Sequence, residues 1–271
     1  MDANKIIESY DKIARMIEPA LKLQRAFAPA LKLQKTLEPA LKLQKTFEPA
    51  LKLQKTFEPA LKIQKSIQEI AERLKEYIEK TPGYYLLIAR HGWFIEIDSE
   101  LSFPSKIANK IQIGSIEEAD ELLVNYYKEN LVRIFEDLYR RHPNRKEIFY
   151  QIFESFRNRH YSILITCVLS QVDGVCFDFT KKKFFIKERK NYLPEVTNEL
   201  VGKHLDIFLS PLQNNTPIIA QEKDLDQFPC RLNRHEILHG ISTDYGTEIN
   251  SLKVISLLKY ISDLLIELDK E

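Results

Sequence analysis

The first pattern of hydrophobic and polar positions is a repeat. Residues 18–67 contain five successive copies of a ten-residue unit, most often EPALKLQKTF. Ala, Leu, Lys and Gln favour helix, whereas a proline in every copy would kink a continuous helix. Because ten residues fall about 80° short of three helical turns, the apolar stripe moves around the helix from copy to copy. We therefore predict an N-terminal arm of kinked helical segments, residues 1–80, that acts as a spacer or docks a protein partner.

A plainer amphipathic pattern follows the repeats. IQEIAERLKEYIEK, residues 67–80, predicts a helix that ends before Pro82 and Gly83. Residues 81–143 form a connecting, mainly helical region, although YYLLIARHGWFIEI within it is apolar enough for a strand or a buried helix. Trp93 is expected to be a packed core residue.

Later in that region a helical pattern resumes at Ser115 and stops at His142-Pro143. The charged run RRHPNRK around that stop is expected to form an exposed turn between helices.

Residues 144–271 have the pattern of a small helical bundle. The spacing of apolar residues predicts its helices at about 144–158, 161–179 and 204–212, then one running up to His239 and a long last helix. Gly240 suits the left-handed position that closes a helix, and Thr247 suits the cap that opens one. The predicted fold class is therefore mainly α, with a C-terminal bundle preceded by a helical region and the repeat arm.

Composition excludes several classes of protein. The net charge of +1 over 271 residues gives no global basic field, although residues 1–80 carry 16 basic against 11 acidic side chains. Cys167, Cys176 and Cys230 lack C-x-x-C spacing, which indicates reduced thiols rather than disulfides or a cysteine zinc site. We identified no apolar run approaching the roughly 20 residues of a membrane span and no signal peptide. The chain is expected to be cytoplasmic and to bind no membrane.

The segment RLNRHEILHG, residues 231–240, contains two overlapping catalytic patterns. In the first, His235, Glu236 and His239 match H-E-x-x-H, in which two histidines one helical turn apart bind zinc and the glutamate is a general base. A convincing third ligand is missing, because His239 is the last histidine of the chain. A zinc hydrolase is therefore the less favoured interpretation.

In the second pattern, Arg234, His235 and His239 form R-polar-x-x-x-H. On these residues, and on their late position in a bundle with one long helix still to come, the region 144–268 resembles the HEPN superfamily of helical-bundle ribonucleases. The resemblance implies a metal-independent RNA endonuclease without cofactors, of the kind found in phage defence, abortive infection and toxin–antitoxin systems. The alternative is a non-catalytic HEPN-like module for interaction and dimerisation, with the repeat arm as its docking element.

The residue types suit cleavage of RNA without a metal. Arginine offers a fork of donors for phosphate oxygens, and histidine titrates near neutral pH. Carried over from the resemblance, Arg234 would hold phosphate, His239 would be the principal acid–base group and His235 its polar companion. Arg234 and His239 lie about 140° apart around a helix. A cleft shared by a homodimer, which the resemblance implies, removes that difficulty.

Several further polar residues are candidates for the same cleft. Asp173, on the second bundle helix, could orient Arg234. The others lie close to the motif in sequence and could line the cleft or simply form caps and turns: Asn233, Asp244, Tyr245 and Asn250.

Overall fold

The computed structural model describes residues 48–186 and 206–268, and this part of the chain is helical without any β-strand. The predicted mainly α fold class is confirmed. Contacts divide the chain into two compact units, whose described parts are residues 48–79 in the first and residues 80–186 and 206–268 in the second. The first three repeat copies, residues 18–47, and residues 187–205 lie outside the described residues.

Seven α-helices and three short 3₁₀ helices account for the regular structure of the described residues. The α-helices are α1 (Glu48–Arg90), α2 (Ser102–Gln112), α3 (Ile116–Arg141), α4 (Lys146–Arg157), α5 (Tyr161–Thr180), α6 (Arg234–Leu238) and α7 (Glu248–Leu268). The 3₁₀ helices are Pro143–Arg145, Asp206–Phe208 and Glu222–Gln227. The helical pattern predicted from Ser115 to His142 and the helices predicted at about 144–158 and 161–179 are thus confirmed as α3, α4 and α5.

Helix α1 contains the last two repeat copies and continues through Pro82 and Gly83. The predicted end before Pro82 is therefore wrong. A proline inside a helix costs about 3 kcal/mol because it removes a hydrogen bond and crowds the preceding turn. The next two turns bury Tyr85, Ile88 and Ala89. Burying large apolar side chains contributes about 1.5–3 kcal/mol each, which offsets the proline.

An irregular segment, residues 93–97, lies inside the second unit rather than on its surface. Trp93 is fully buried, as predicted, with its ring stacked on Tyr127 at a centroid distance of 5.6 Å. The backbone N–H of Phe94 donates to Ser256 Oγ at 3.1 Å, and its carbonyl accepts from the Tyr127 hydroxyl. Buried backbone outside helices needs such partners, and side chains of α3 and α7 supply them.

Helix α7 forms the centre of this unit. Every residue from Ser251 to Leu265 is buried, including six serine, lysine and aspartate residues. It packs against both α5 and α3, while α3 also contacts α2 and α4. Residues 81–143 and 144–268 therefore share one core.

The prediction of a helix over residues 204–212 is wrong for residues 206–212, the part that the structure describes. Asp206–Phe208 is a single 3₁₀ turn, and turns follow it to residue 212. Pro211 disfavours a helical backbone at the residue before it. Leu209 and Leu212 are nevertheless buried, so the apolar spacing reflects a packed turn rather than a helix.

Helix α5 is, among the described residues, the one helix long and apolar enough to cross a membrane. The expectation that no apolar run reaches this length was wrong for α5. Its buried residues, such as Leu164, Val168 and Val175, lie in the core beside α7. Asp173 and Asp178 on the same helix pair with arginines. About 39% of the apolar window of α5 is buried, so one face of the helix packs in the core and the rest is more exposed.

Candidate functional site

The predicted motif is held in place by Asn233, the residue before α6. Its side-chain oxygen accepts hydrogen bonds from the backbone N–H groups of His235 and Glu236, at 3.0 and 3.2 Å. Its amide nitrogen donates to the carbonyls of Pro217 and Ala220, at 2.8 and 3.0 Å. Asn233 is 1% exposed. It therefore acts as a helix cap and a clamp between two chain segments, rather than lining an open cleft.

Helix α6 is only five residues long. Gly240 has a φ of +72°, a left-handed backbone conformation that residues with a Cβ atom rarely adopt. The N–H of Gly240 donates to the carbonyl of Ile237, and that of Ile241 donates to the carbonyl of Glu236. The predicted closure of the helix by Gly240 is confirmed, and His239 lies at its C-terminal cap.

Arg234 lies between a carboxylate and an aromatic ring. One terminal nitrogen of its guanidinium is 3.7 Å from Asp173 Oδ2, and the guanidinium carbon is 5.1 Å from the centre of the Phe185 ring. The Arg234 side chain is 30% exposed. Its Nε is buried and makes no hydrogen bond within the described residues.

Asp173 of α5 is shared between two neighbours. Its Oδ1 accepts a hydrogen bond of 2.8 Å from the backbone N–H of Phe185. The other oxygen is the one that approaches Arg234. Asp173 thus hydrogen-bonds the backbone of Phe185 and lies within ion-pair distance of Arg234.

The two histidines of the motif lie side by side on the surface. The ring centroids of His235 and His239 are 4.3 Å apart and the rings are inclined by 53°. Both side chains are exposed. This pairing follows from their spacing of four residues, which places side chains on the same face of a helix.

A cavity of about 270 Å³ adjoins the motif. Of the predicted site residues, Arg234 and His235 line it. The remaining lining residues come from the loop after α5 and from the chain that Asn233 clamps: Phe185, Ile218, Ile219, Ala220, Gln221 and Glu222. Sequence analysis did not identify the lining residues 218–222, because a turn of this kind has no distinctive sequence pattern.

The arrangement around Glu236 does not favour zinc. Its side chain is 11% exposed and lies 3.4 Å from the guanidinium of Arg231. Among the described residues, the only three candidate ligands with atoms within 4.8 Å of one another lie elsewhere, at Glu96, Asp98 and Asp263. The zinc interpretation therefore still lacks a third ligand beside the two histidines.

The polar residues after the motif form turn and cap interactions. The hydroxyl of Ser242 donates to Asp244 at 3.2 Å, and the amide of Asn250 donates to the Tyr245 carbonyl at 3.0 Å. The Tyr245 hydroxyl lies 3.2 Å from Thr166 Oγ1. Of the two roles predicted for Asp244, Tyr245 and Asn250, these contacts match caps and turns, and none of the three lines the cavity.

A second group of charges, which sequence analysis missed, lies in the interior. We call Glu96, Asp98, Arg133, Lys259 and Asp263 the ionic cluster. The Lys259 ammonium, fully buried, lies 2.6 Å from Asp263, 3.1 Å from Glu96 and 3.7 Å from Asp98. Arg133 contacts the other oxygen of Glu96 at 2.5 Å. The sequence signal was Lys259 and Asp263, two opposite charges four residues apart in the long last helix.

Burial and neighbouring charges act in opposite directions within the ionic cluster. Burial disfavours ionised Glu96, but Lys259 and Arg133 lower its pKa to about 2. Burial, together with repulsion from Asp263 and Glu96, raises the pKa of Asp98 to about 6 despite the attraction of Lys259. Because the Lys259 ammonium already lies among the three carboxylates, it supplies the positive charge that a metal ion would bring.

Two residues of the run RRHPNRK, at the turn between α3 and α4, lie next to the ionic cluster. The prediction of an exposed turn is wrong for Arg141 and His142, which are buried. Arg141 pairs with Asp263, and His142 Nε2 lies 2.8 Å from Ser262 Oγ. Burial, with the nearby positive charge of Arg141, lowers the pKa of His142 to about 4.

Comparison of the chain with protein-family models, with curated proteins and with solved structures finds no significant match. The resemblance to the HEPN superfamily stays a prediction carried chiefly by Arg234, His235 and His239.

Proposed function

We propose that this protein is a HEPN-like, metal-independent RNA endonuclease. The observation that carries the proposal is the arrangement of Arg234, a partly exposed guanidinium beside a cavity, next to the paired exposed imidazoles of His235 and His239. Cleavage of RNA needs a cation for the phosphate, a base for the 2′-hydroxyl and an acid for the leaving oxygen. These three side chains can supply all of them.

The roles follow from the chemistry of each group. Arg234, oriented by Asp173, binds the non-bridging oxygens of the phosphate. His239 is the principal acid–base group, with His235 as its polar companion. A base takes the proton of the 2′-hydroxyl, the 2′-oxygen attacks phosphorus, and an acid protonates the departing 5′-oxygen. The products are a 2′,3′-cyclic phosphate and a 5′-hydroxyl.

The proposal includes a homodimer with a shared cleft. Arg234 contacts Asp173 and Phe185, whereas the rings of His235 and His239 are exposed beside each other. Directly after Gly240, Ile241 is 59% exposed and offers apolar surface for a second copy. A cytoplasmic role in phage defence or a toxin–antitoxin pair, with a protein partner for the repeat arm, rests on the resemblance and the repeats alone.

The direct test is cleavage of end-labelled RNA by the purified full chain, with and without EDTA. We expect cleavage that EDTA leaves unchanged, that yields 2′,3′-cyclic phosphate ends and that spares DNA. His239→Ala should reduce the rate about 10²- to 10⁴-fold, the range for loss of a general acid–base group. His160→Ala is the matched control, since His160 is also an exposed histidine next to a helix.

Glu236→Gln separates the two catalytic interpretations. The ribonuclease should keep its rate, because the glutamate has no part in the chemistry, whereas a zinc hydrolase would lose its general base. Loss of activity in EDTA or in Glu236→Gln would contradict the proposal. Intact RNA under all conditions would leave the non-catalytic interaction module as the better account.

A mixing experiment tests the shared cleft. Arg234→Ala and His239→Ala are each expected to be inactive, but their mixture should regain roughly a quarter of the wild-type rate if each site takes its arginine and histidine from different copies. No recovery after subunit exchange would place each site within a single chain.

A further inference from the structure

The cavity beside Arg234 has both flat and polar lining groups. The ring of Phe185 and the guanidinium of Arg234 are planar, and Ile218, Ile219 and Ala220 add apolar surface. Gln221 and Glu222 add an amide and a carboxylate. Ligand sites commonly combine an apolar lining with a few polar groups that fix orientation.

Planar groups beside an arginine suit a nucleobase. Bases stack on aromatic rings and on guanidinium planes, and such stacking occurs with every base. Phe185 is half-buried and Arg234 is 30% exposed, so both are held by the protein while part of Arg234 stays accessible. Arg234 therefore can contact a phosphate and a base at the same time.

The polar lining groups can recognise the edge of a base. A glutamate accepts hydrogen bonds from an exocyclic amino group, as in recognition of cytosine. Cytosine, adenine and guanine carry such a group, and uracil does not. Glu222 is exposed at the start of its 3₁₀ helix, so its carboxylate is available to a ligand.

The size and position of the cavity limit what it can hold. At about 270 Å³ it lies just below the range of roughly 300–1,000 Å³ for pockets that bury drug-sized ligands. It therefore suits one nucleoside rather than a dinucleotide cofactor. Because Asn233 hydrogen-bonds both to α6 and to the carbonyls of Pro217 and Ala220, the cavity wall and the motif keep a fixed distance.

We infer that this cavity is a base-binding subsite for the nucleotide whose 3′-phosphate is held by Arg234, with preference for bases that carry an exocyclic amino group. The inference rests on the proposed function, because it assigns the substrate of the same site. Phe185 stacks on the base, Arg234 beside it holds the phosphate, and Glu222 accepts a hydrogen bond from the amino group of the base.

Binding of mononucleotides tests the subsite without any cleavage. Calorimetry on the wild-type chain would compare cytidine 3′-monophosphate, uridine 3′-monophosphate, ribose 5-phosphate and inorganic phosphate. We expect the cytidine nucleotide to bind about 5- to 100-fold more tightly than ribose 5-phosphate, the range for stacking of one base. The uridine nucleotide should bind less tightly than the cytidine nucleotide, and Glu222→Gln should remove that difference.

Phe185→Leu is the decisive variant, since it removes the aromatic face and keeps apolar volume. It should reduce the ratio of nucleotide affinity to phosphate affinity at least fivefold. Phe177→Leu is the matched control, because Phe177 also lies under a cation, Lys181 at 5.6 Å, but on the exposed face of α5. Gln221→Trp, which fills the cavity from a half-exposed position, should abolish nucleotide binding and leave phosphate binding intact.

The outcomes separate this inference from the nuclease proposal. Equal affinity for nucleotide and sugar phosphate would overturn the subsite even if RNA is cleaved. An equal loss of nucleotide and phosphate affinity in folded Phe185→Leu would also overturn it. Base-dependent binding that Phe185→Leu weakens, without any RNA cleavage, would support the subsite and reject the nuclease.

Discussion

Two groups of charged side chains in the second compact unit differ in how completely they are paired. In the ionic cluster, Lys259 is fully buried and meets carboxylates of both Glu96 and Asp263 within about 3 Å. In the candidate site, Arg234 is partly exposed and meets one carboxylate at 3.7 Å. The buried oxygens Glu96 Oε2 and Asp98 Oδ1 make no hydrogen bond within the described residues, but both lie within 4 Å of the Lys259 ammonium. Interior charges that are surrounded by opposite charges and closed off from solvent offer little to a ligand, whereas a partly exposed arginine at a cavity can bind one. The first group serves the fold and the second is suited to binding.

The largest expected effect is on the ionic cluster. Lys259→Met should lower the free energy of unfolding by about 3–5 kcal/mol, because it leaves three carboxylates close together and buried. Chemical denaturation measures this. Lys128→Met is the control, since Lys128 pairs with Glu248 at 3.1 Å on the surface, where both are more than 40% exposed. That change should cost no more than about 1 kcal/mol. An equal loss of stability in Lys259→Met and Lys128→Met would show that burial does not determine how much an ion pair contributes here.

The opposite pattern is expected at the candidate site. Arg234→Lys should leave the free energy of unfolding within about 1 kcal/mol of wild type, because its ion pair is long and partly exposed. The rate of RNA cleavage should fall about 10²- to 10³-fold, since lysine lacks the fork of donors for phosphate. Arg231→Lys, at a 67% exposed side chain near the motif, is the control and should keep full activity. A large loss of stability in Arg234→Lys would place this arginine with the structural charges.

Asn233 combines properties of both groups, because it is buried like the ionic cluster and also holds the helix that carries the candidate site. Asn233→Ala should destabilise the protein by about 2 kcal/mol, because it removes a helix cap and leaves carbonyls without their donor. Cleavage should fall as α6 loses its anchor. Asn158→Ala provides the comparison, because Asn158 is an exposed asparagine directly after α4 and its amide donates to one carbonyl, that of Glu154. A thermal denaturation curve for Asn233→Ala that overlays the Asn158→Ala curve would contradict the clamp.

The last expected effect is on the dependence of stability on pH. The folded-state pKa of Asp98, about 6, lies above the usual value of 3.8. The folded state therefore binds more protons than the unfolded state between these values, and Asp98 reduces stability as pH rises through that window. His142, with its lowered pKa, acts in the opposite direction over part of the same range. Wild type and Asp98→Asn must therefore be compared at each pH.

That comparison isolates the carboxyl group of Asp98, which faces Lys259, Asp263, Glu96 and Arg133. The stability of Asp98→Asn relative to wild type should increase by about 2 kcal/mol from pH 4 to pH 6.5 and then level off. A relative stability that stays constant with pH would show that Asp98 is ionised in the folded protein throughout.

Local signals in the sequence predicted much of the helical structure. Apolar periodicity located α3, α4, α5 and α7 because each buries one face or more in the same core. Gly240 was predicted to close a helix because glycine readily adopts the left-handed backbone conformation. Thr247 was predicted to cap the start of the last helix. Its Oγ1 indeed accepts from the Asn250 N–H at 3.1 Å. Such signals depend only on residues a few positions apart.

Long-range features could not be predicted in the same way. Helix α1 continues through Pro82 because residues further along the helix, such as Tyr85 and Ile88, are buried. The rule that a proline ends a helix takes no account of that burial. The ionic cluster joins Glu96 to Lys259 across 163 positions, and polar residues in an apolar helix do not indicate their partner. The cavity, likewise, is formed by segments around Phe185, Ile218 and Arg234 that share no sequence pattern.

The hydrogen bonds of Asn233 also have a practical consequence for protein engineering. They close residues 220–233 at the base, because both the Ala220 carbonyl and the start of α6 are tied to the same side chain. Asp226 and Gln227 are exposed at the end of the 3₁₀ helix within this segment, between the buried residues Leu225 and Phe228. A fluorescent label attached to one of these two side chains, rather than an inserted segment, would leave the packed turn and the motif in place.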